Sequence, residues 1–280
     1  MCNRLVTIIA AIGFAACPLL ADFSYREKST ITGGAAASMM KVVGVFSKAA
    51  REPNEAAVSV KGARMVHRGN SRVSIIDLDA ETITDIDVHK KTYTVLTFAQ
   101  MRETIERMQE RAKQDPHQMS FQVNANKTGN HKTIDGRNAS EIVLTMQMQG
   151  TDQQSGQRGG LSITTDVWIA PPARGYAELH AFTRRLAEKL NWTPGGNMFL
   201  SNPKVSEGMV EVSKEMNKLD GMPVLETVSM GGSSESGGSA GSLLEMTIEM
   251  SGFSTDPADE SAFEVPAGFK KVESNSRRGR

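Results

Sequence analysis

Between Arg72 and Arg111 the spacing of apolar side chains changes period in a way that lays out four elements. Val73, Ile75, Ile76 and Leu78 form a short apolar run that ends at the turn-prone Asp79-Ala80-Glu81. Thr82 to Val88 alternates β-branched with acidic residues, Lys90-Lys91 turns the chain, and Thr92 to Phe98 returns rich in Thr, Tyr, Val and Phe. Such residues suit a pleated, half-buried surface, so this is a three-strand meander. From there Phe98, Met101, Ile105, Met108 and Ala112 recur at three- and four-residue steps, which is one face of a helix. Thr97 and Gln100 have the spacing of a capping box at its start.

The remaining pattern extends that unit on both sides. Asp22–Thr32 reads as an opening strand closed by Gly33-Gly34. Ala35–Ala50 has helical composition weakened by Gly44, and Ala57–Lys61 with Ala63–Arg68 reads as a hairpin about Gly62. Strands are expected at 118–126, 141–149 and 161–170, with turns at Gly129-Asn130 and Asp135-Gly136. Ile142, Leu144, Met146 and Met148 share one face of the second of these. Stripes of Leu179, Phe182, Leu186 and Leu190, then of Val205, Met209, Val212, Met216 and Leu219, predict two helices, with Gly221 past the end of the second. Met222–Met230 and Leu243–Phe253 read as hairpin arms about a flexible Gly/Ser loop at 231–242, and Ala262–Glu273 closes the chain. Strands, helix, strands, helix pair, strands is the order of an α+β fold with an antiparallel sheet and segregated helices. Many short connections favour a curved sheet, a half-barrel with helices on its concave face. The expected organisation is a leader at 1–21, one domain at 22–274 with a helical insertion at about 174–220, and a basic tail at 275–280.

The N-terminus changes the compartment. Asn3-Arg4 and the apolar run Leu5–Ala16, too short to span a bilayer, read as an export signal peptide. Two processing readings stand. Cleavage after Ala21 gives a mature chain from Asp22 in the periplasm; alternatively Phe14-Ala15-Ala16-Cys17 is a lipobox and Cys17 is acylated, tethering the protein to a membrane of the cell envelope. No later stretch is apolar enough for a transmembrane span. Both cysteines, Cys2 and Cys17, lie in this segment, so cleavage after Ala21 leaves no disulfide and no thiolate chemistry. The formal charge of the 280-residue chain is zero, which argues against a nucleic-acid partner.

Candidate chemistry is sparse. Asp77, Asp79, Glu81, Asp85 and Asp87 are the densest acidic group, but Thr82 and Val88 stand where a calcium loop needs Gly and Glu. A carboxylate pair for glycoside hydrolysis is the enzymatic alternative there. His67, His89, His117, His131 and His180 show no HExxH spacing, and no G-x-S-x-G elbow or phosphate loop occurs. The expectation is a protein with no catalytic residue, metal or cofactor. The methionines are more informative: Met101, Met108, Met146, Met148, Met209 and Met216, with Ile105, sit on element faces where they line either a packed core or a deformable apolar cavity for a lipid or acyl chain.

Residues 74–101, SIIDLDAETITDIDVHKKTYTVLTFAQM, resemble the strand, strand and helix segment of an uncharacterised family of exported bacterial proteins, TTDVWIA at 164–170 resembles that family's mid-chain strand, and FEVPAGFKKV at 263–272 its closing strand. That family resembles the LolA/LolB-like half-barrel group of periplasmic lipoprotein carriers and lipid-binding domains. The resemblance implies a curved antiparallel sheet wrapped around helices and an apolar cavity, and carries no individual functional residue onto this chain. The expected function is a non-enzymatic exported envelope protein that binds a lipid or other apolar ligand. The alternative is a structural or interaction protein of the envelope with a self-filled core.

Overall fold

The computed structural model of the chain describes residues 22–35, 37–38, 53–113, 118–151, 158–190, 221–233 and 239–273. They form one open sheet of twelve strands in the order β12-β6-β5-β4-β3-β2-β1-β11-β10-β9-β8-β7. Two antiparallel meanders make up eleven of the strands, and the two-residue β12 (Lys270–Lys271) adds to the β6 edge. The first is β1 (Phe23–Gly33), β2 (Asn54–Lys61), β3 (Arg64–Gly69), β4 (Arg72–Asp77), β5 (Thr82–Asp87) and β6 (Thr92–Thr97). The second is β7 (Gln118–Ile134), β8 (Arg137–Thr151), β9 (Arg158–Ala170), β10 (Met222–Ser233) and β11 (Ser239–Ser254). They are stitched edge to edge where β1 pairs with β11. Helix α1 (Phe98–Lys113) follows the first meander, and α2 (Tyr176–Leu190) interrupts the second.

The meander 72–97 forms as its pattern predicts, and its two turns share one construction. Asp77 Oδ1 accepts from the backbone N–H groups of Asp79 and Ala80 at 2.9 and 2.8 Å, and Asp87 Oδ1 accepts from Lys90 N–H at 2.9 Å. Each turn ends on a left-handed residue, Glu81 or Lys91, both at φ 52°. Short acidic side chains that bond their own backbone stabilise such turns. The acidic residues of this stretch are therefore turn-formers and surface groups. The cap of α1 is reciprocal: Thr97 Oγ1 accepts from Gln100 N–H at 3.2 Å, and Gln100 Oε1 accepts from Thr97 N–H at 3.0 Å.

Each face of the first meander has its own cover. On one, Val60, Leu78, Phe98, Phe182, Leu186 and Leu190 form a buried cluster under α1 and α2, with Met65, Ile76, Ile83 and Met101 packed against it. On the other, Val66, Val73, Ile75 and Ile86 lie beneath Phe263 and the segment around it. That segment is pinned by Glu260, which pairs with Lys61 at 2.7 Å and Arg64 at 2.6 Å, and by Asp22, whose Oδ2 accepts from Ala258 N–H at 2.8 Å. The helices are tied to the turns. Glu81 pairs with Lys189 at 2.8 Å, and Arg102 donates to the Lys189 carbonyl at 2.9 Å.

Three expectations need correction. Gly129-Asn130 does not end a strand: β7 runs through it, with residues 128–130 bulged opposite Glu141 alone. Thr128 and Asn130 donate to the Glu141 carboxylate at 2.8 and 2.7 Å, which holds the bulge. The Gly/Ser loop is shorter than 231–242, because Gly231 pairs with Ser242 and Ser233 with Ser239. The closing stretch is mostly not strand. It contains a 3-10 turn (Glu260–Phe263) and the two-residue β12 (Lys270–Lys271), which pairs parallel with β6 and so departs from an all-antiparallel sheet. The leader with Cys17, most of the helix expected at 35–50, and the stripe carrying Met209 and Met216 lie outside the described residues.

Candidate functional site

The ladders fix which side chains share the helix-bearing face at the centre of the sheet. Phe23, Tyr25 and Glu27 lie opposite Val60, Val58 and Ala56 of β2, and strand alternation carries the face on to Ser29 and Ile31. One row across β1, β11, β10, β9, β8 and β7 is then Ile31, Met246, Val228, Thr165, Leu144 and Ala125. The next is Ser29, Ile248, Glu226, Val167, Ile142 and Lys127. A third places Leu244, Met230, Ile163, Met146 and Val123 side by side. Towards β8 and β9 these rows are buried: Val167 is 0% exposed, Met146 1% and Met148 3%. Towards β10, β11 and β1 they open, with Val228, Met230, Met246 and Ile248 partly exposed and Ile31 exposed.

Glu226 breaks this apolar face. It follows Val224 and precedes Val228 in the inward register of β10, flanked across the ladders by Ile248 and Val167. It accepts no hydrogen bond among the described residues. Burial, and secondarily the Glu27 carboxylate on β1, push its carboxyl up to about 7. Beside it stands an aromatic nest. Phe23 meets Tyr176, the first residue of α2, edge-on at 5.9 Å, and Phe253 stacks on Phe23 and Tyr25 at 6.2 and 6.1 Å. Burial, then the carboxylates of Glu27 and Glu226, raise the Tyr25 hydroxyl above its ordinary range. Burial and Glu226 do the same to Tyr176. Towards β3 on the same face, Glu27 meets His67 at 3.7 Å.

Glu226 stays partly exposed, whereas the carboxylate of Glu178 is buried and has a structural task. Glu178 of α2 is 2% exposed, and its Oε1 accepts from the Gly62 N–H at 3.0 Å while Arg185 donates to the Gly62 carbonyl at 2.6 Å. Gly62 turns the β2–β3 hairpin at φ 59°. Both polar groups of that residue are thus held by α2, leaving Glu178 Oε2 and Arg185 Nε without partners.

Of the cavity-lining residues named from sequence, Met101, Met146 and Met148 have described side chains. Met101 packs with the α1–α2 cluster, and Met146 and Met148 lie with Ile163 on β8 and β9. Ile105 and Met108 continue α1, but their side chains lie outside the described residues, as do Met209 and Met216 entirely. In the 77–87 group, Asp77 and Asp87 cap their turns, and Asp87 and Glu81 pair with Lys90 and Lys189. Among the described residues, no group of three His, Cys, Asp or Glu is placed to hold a metal, and no helix is long and apolar enough to cross a membrane. The Glu27–Glu226 pair escaped the sequence reading. A signal existed: in MPVLETVSM, Glu226 occupies the alternation of Met222, Val224, Val228 and Met230, a charge in apolar register. In comparisons with known proteins, no family model and no curated sequence matches the chain.

Proposed function

We propose that this chain is a non-enzymatic exported envelope protein that binds a lipid or other apolar ligand on the helix-bearing face of its sheet, in the manner of a LolA/LolB-like half-barrel. The observation that carries this reading is the partly exposed panel of Ile31, Met246, Ile248, Val228 and Met230, which occupies one face of three adjacent strands and ends on Glu226. Monomeric soluble proteins seldom leave contiguous apolar surface of this kind without a use. Methionine side chains repack around ligands of varied shape at little cost. Displacement of a fluorescent fatty acid, with native mass spectrometry of protein taken from its own envelope, tests the reading. It is lost if the probe neither binds nor is displaced and the purified protein carries no lipid.

The second reading is a structural or interaction protein whose apolar face is filled by its own chain. The near-complete burial of Met146, Met148 and Val167 favours it. Truncation separates the two. A methionine in a tight core loses about 2–5 kcal/mol as alanine, so Met146→Ala destabilises under both. Met246→Ala and Met230→Ala alter ligand uptake only under the first.

A further inference from the structure

Four observations converge on the centre of the helix-bearing face. Glu226 is a carboxyl set among apolar neighbours, with no hydrogen-bond partner among the described residues. Glu27 approaches from β1 on the same face and makes the local field negative. Two tyrosines, Tyr25 and Tyr176, bound the spot with rings and hydroxyls. The apolar panel of Val228, Met246 and Met230 begins beside it. No lysine or arginine contributes to the state of Glu226. Arg137 lies over the Phe253 ring at 5.1 Å but makes no ion pair with Glu27 or Glu226 among the described residues.

An ionised carboxylate in low dielectric is costly unless a cation meets it. Aromatic faces attract ammonium groups. We propose that Glu226 and Glu27, with the rings of Tyr25 and Tyr176, receive the cationic head group of an amphiphile, a protonated amine or a quaternary ammonium, whose apolar chain lies along Val228, Met246 and Met230. This rests on the apolar-ligand reading and specifies the ligand's charge.

Binding then carries a proton signature. The free protein holds a proton on Glu226 up to about pH 7. A bound cation favours the carboxylate, so association releases up to one proton to the buffer, and affinity rises with pH until Glu226 is ionised without the ligand. The groups facing Glu226 are Glu27 and Tyr25 of β1 and Tyr176 of α2; His67 of β3 reaches only Glu27, and the β9 and β11 neighbours Val167 and Ile248 do not titrate. The tyrosines, raised above their ordinary range, stay neutral throughout this window.

The test is calorimetric titration of the full chain with dodecyltrimethylammonium, dodecyl maltoside and dodecyl sulfate, each below micelle formation, at about pH 5.5 and about pH 8. The expected result is cation binding about tenfold tighter than the neutral amphiphile at the higher pH, a smaller preference at the lower, and heats that depend on buffer ionisation. Glu226→Gln should abolish the preference and the proton release, with dodecyl maltoside still bound. Should that variant fail to fold, Glu27→Gln should reduce the preference, and the buffer dependence of the unaltered chain already decides. Equal affinity for all three amphiphiles at both pH values, or cation binding without proton release at the lower pH, overturns the head-group assignment while the apolar-ligand reading stands. If none of the three binds, both fall.

Discussion

Glu226 makes stability depend on pH with a definite sign. Its carboxyl titrates near 4.5 in an unstructured chain and at about 7 in the fold. Below the first value both states are protonated. Between the two, only the folded state holds the proton, so stability falls as pH rises, and above about 7 the loss is complete and flat. A shift of that size corresponds to about 3 kcal/mol. Glu226→Gln should therefore stabilise the protein at alkaline pH relative to acidic pH, removing most of that slope from urea unfolding. An unchanged slope would assign the pH dependence to other groups. Glu178 differs because its Oε1 has a partner. Glu178→Ala strands the Gly62 N–H beneath α2 and should cost about 1–3 kcal/mol, whereas Glu178→Gln keeps an acceptor there and should cost less. Equal losses from the two substitutions would show that packing, not the bond to Gly62, is what matters. Neither role is written in local composition. Each follows from a carboxylate standing in apolar register, Glu226 on strand alternation and Glu178 four residues before Phe182 on a helical stripe.

At the scale of elements, α1 tests whether a local signal carries weight. The Thr97 and Gln100 side chains satisfy each other's backbone N–H groups, so Thr97→Ala should cost about 1 kcal/mol. Phe182→Ala, at a residue 0% exposed between α2 and the sheet, should cost about 3–5 kcal/mol. Thermal unfolding of the two variants checks the ranking, and a cap loss as large as the core loss would contradict it. The cap, the stripe of α2 and the meander of β4, β5 and β6 were legible because each rests on contacts within a few residues. The β7 bulge was not. Gly129-Asn130 has the composition of a turn, and what keeps the strand running is the Glu141 carboxylate on the neighbouring strand, held below its usual range by Asn130 and Thr128. The segment around Phe263 was misread for the same reason. Its apolar residues have strand spacing, yet they serve as a cover over Val66, Val73 and Ile75.

The whole molecule depends on one pairing that no local pattern encodes. Each meander is assembled from neighbours in sequence, while the ladder between β1 and β11 joins strands at opposite ends of the described chain and carries two register shifts. Mixed polar and β-branched residues on both strands leave no signal that selects this partner, so the sequence indicated an antiparallel sheet without showing where its halves meet. Across the seam, Lys28 pairs with Glu55 of β2 on one side and Glu249 of β11 on the other. Proline at this position deletes a backbone donor and sets a ring against a ladder in the interior of the sheet, where proline is not tolerated. Lys28→Pro should cost at least about 2–3 kcal/mol and should remove hydrogen-exchange protection from β2 and β11 together. Lys271→Pro is the control. It lies in β12, at the sheet's edge, and should disturb only β6 and the segment near Phe263. Retained protection in β11 beside a lost β2 would mean that the second meander stands without the first. Loss in both strands would mean that β1 is the element through which the two halves hold each other.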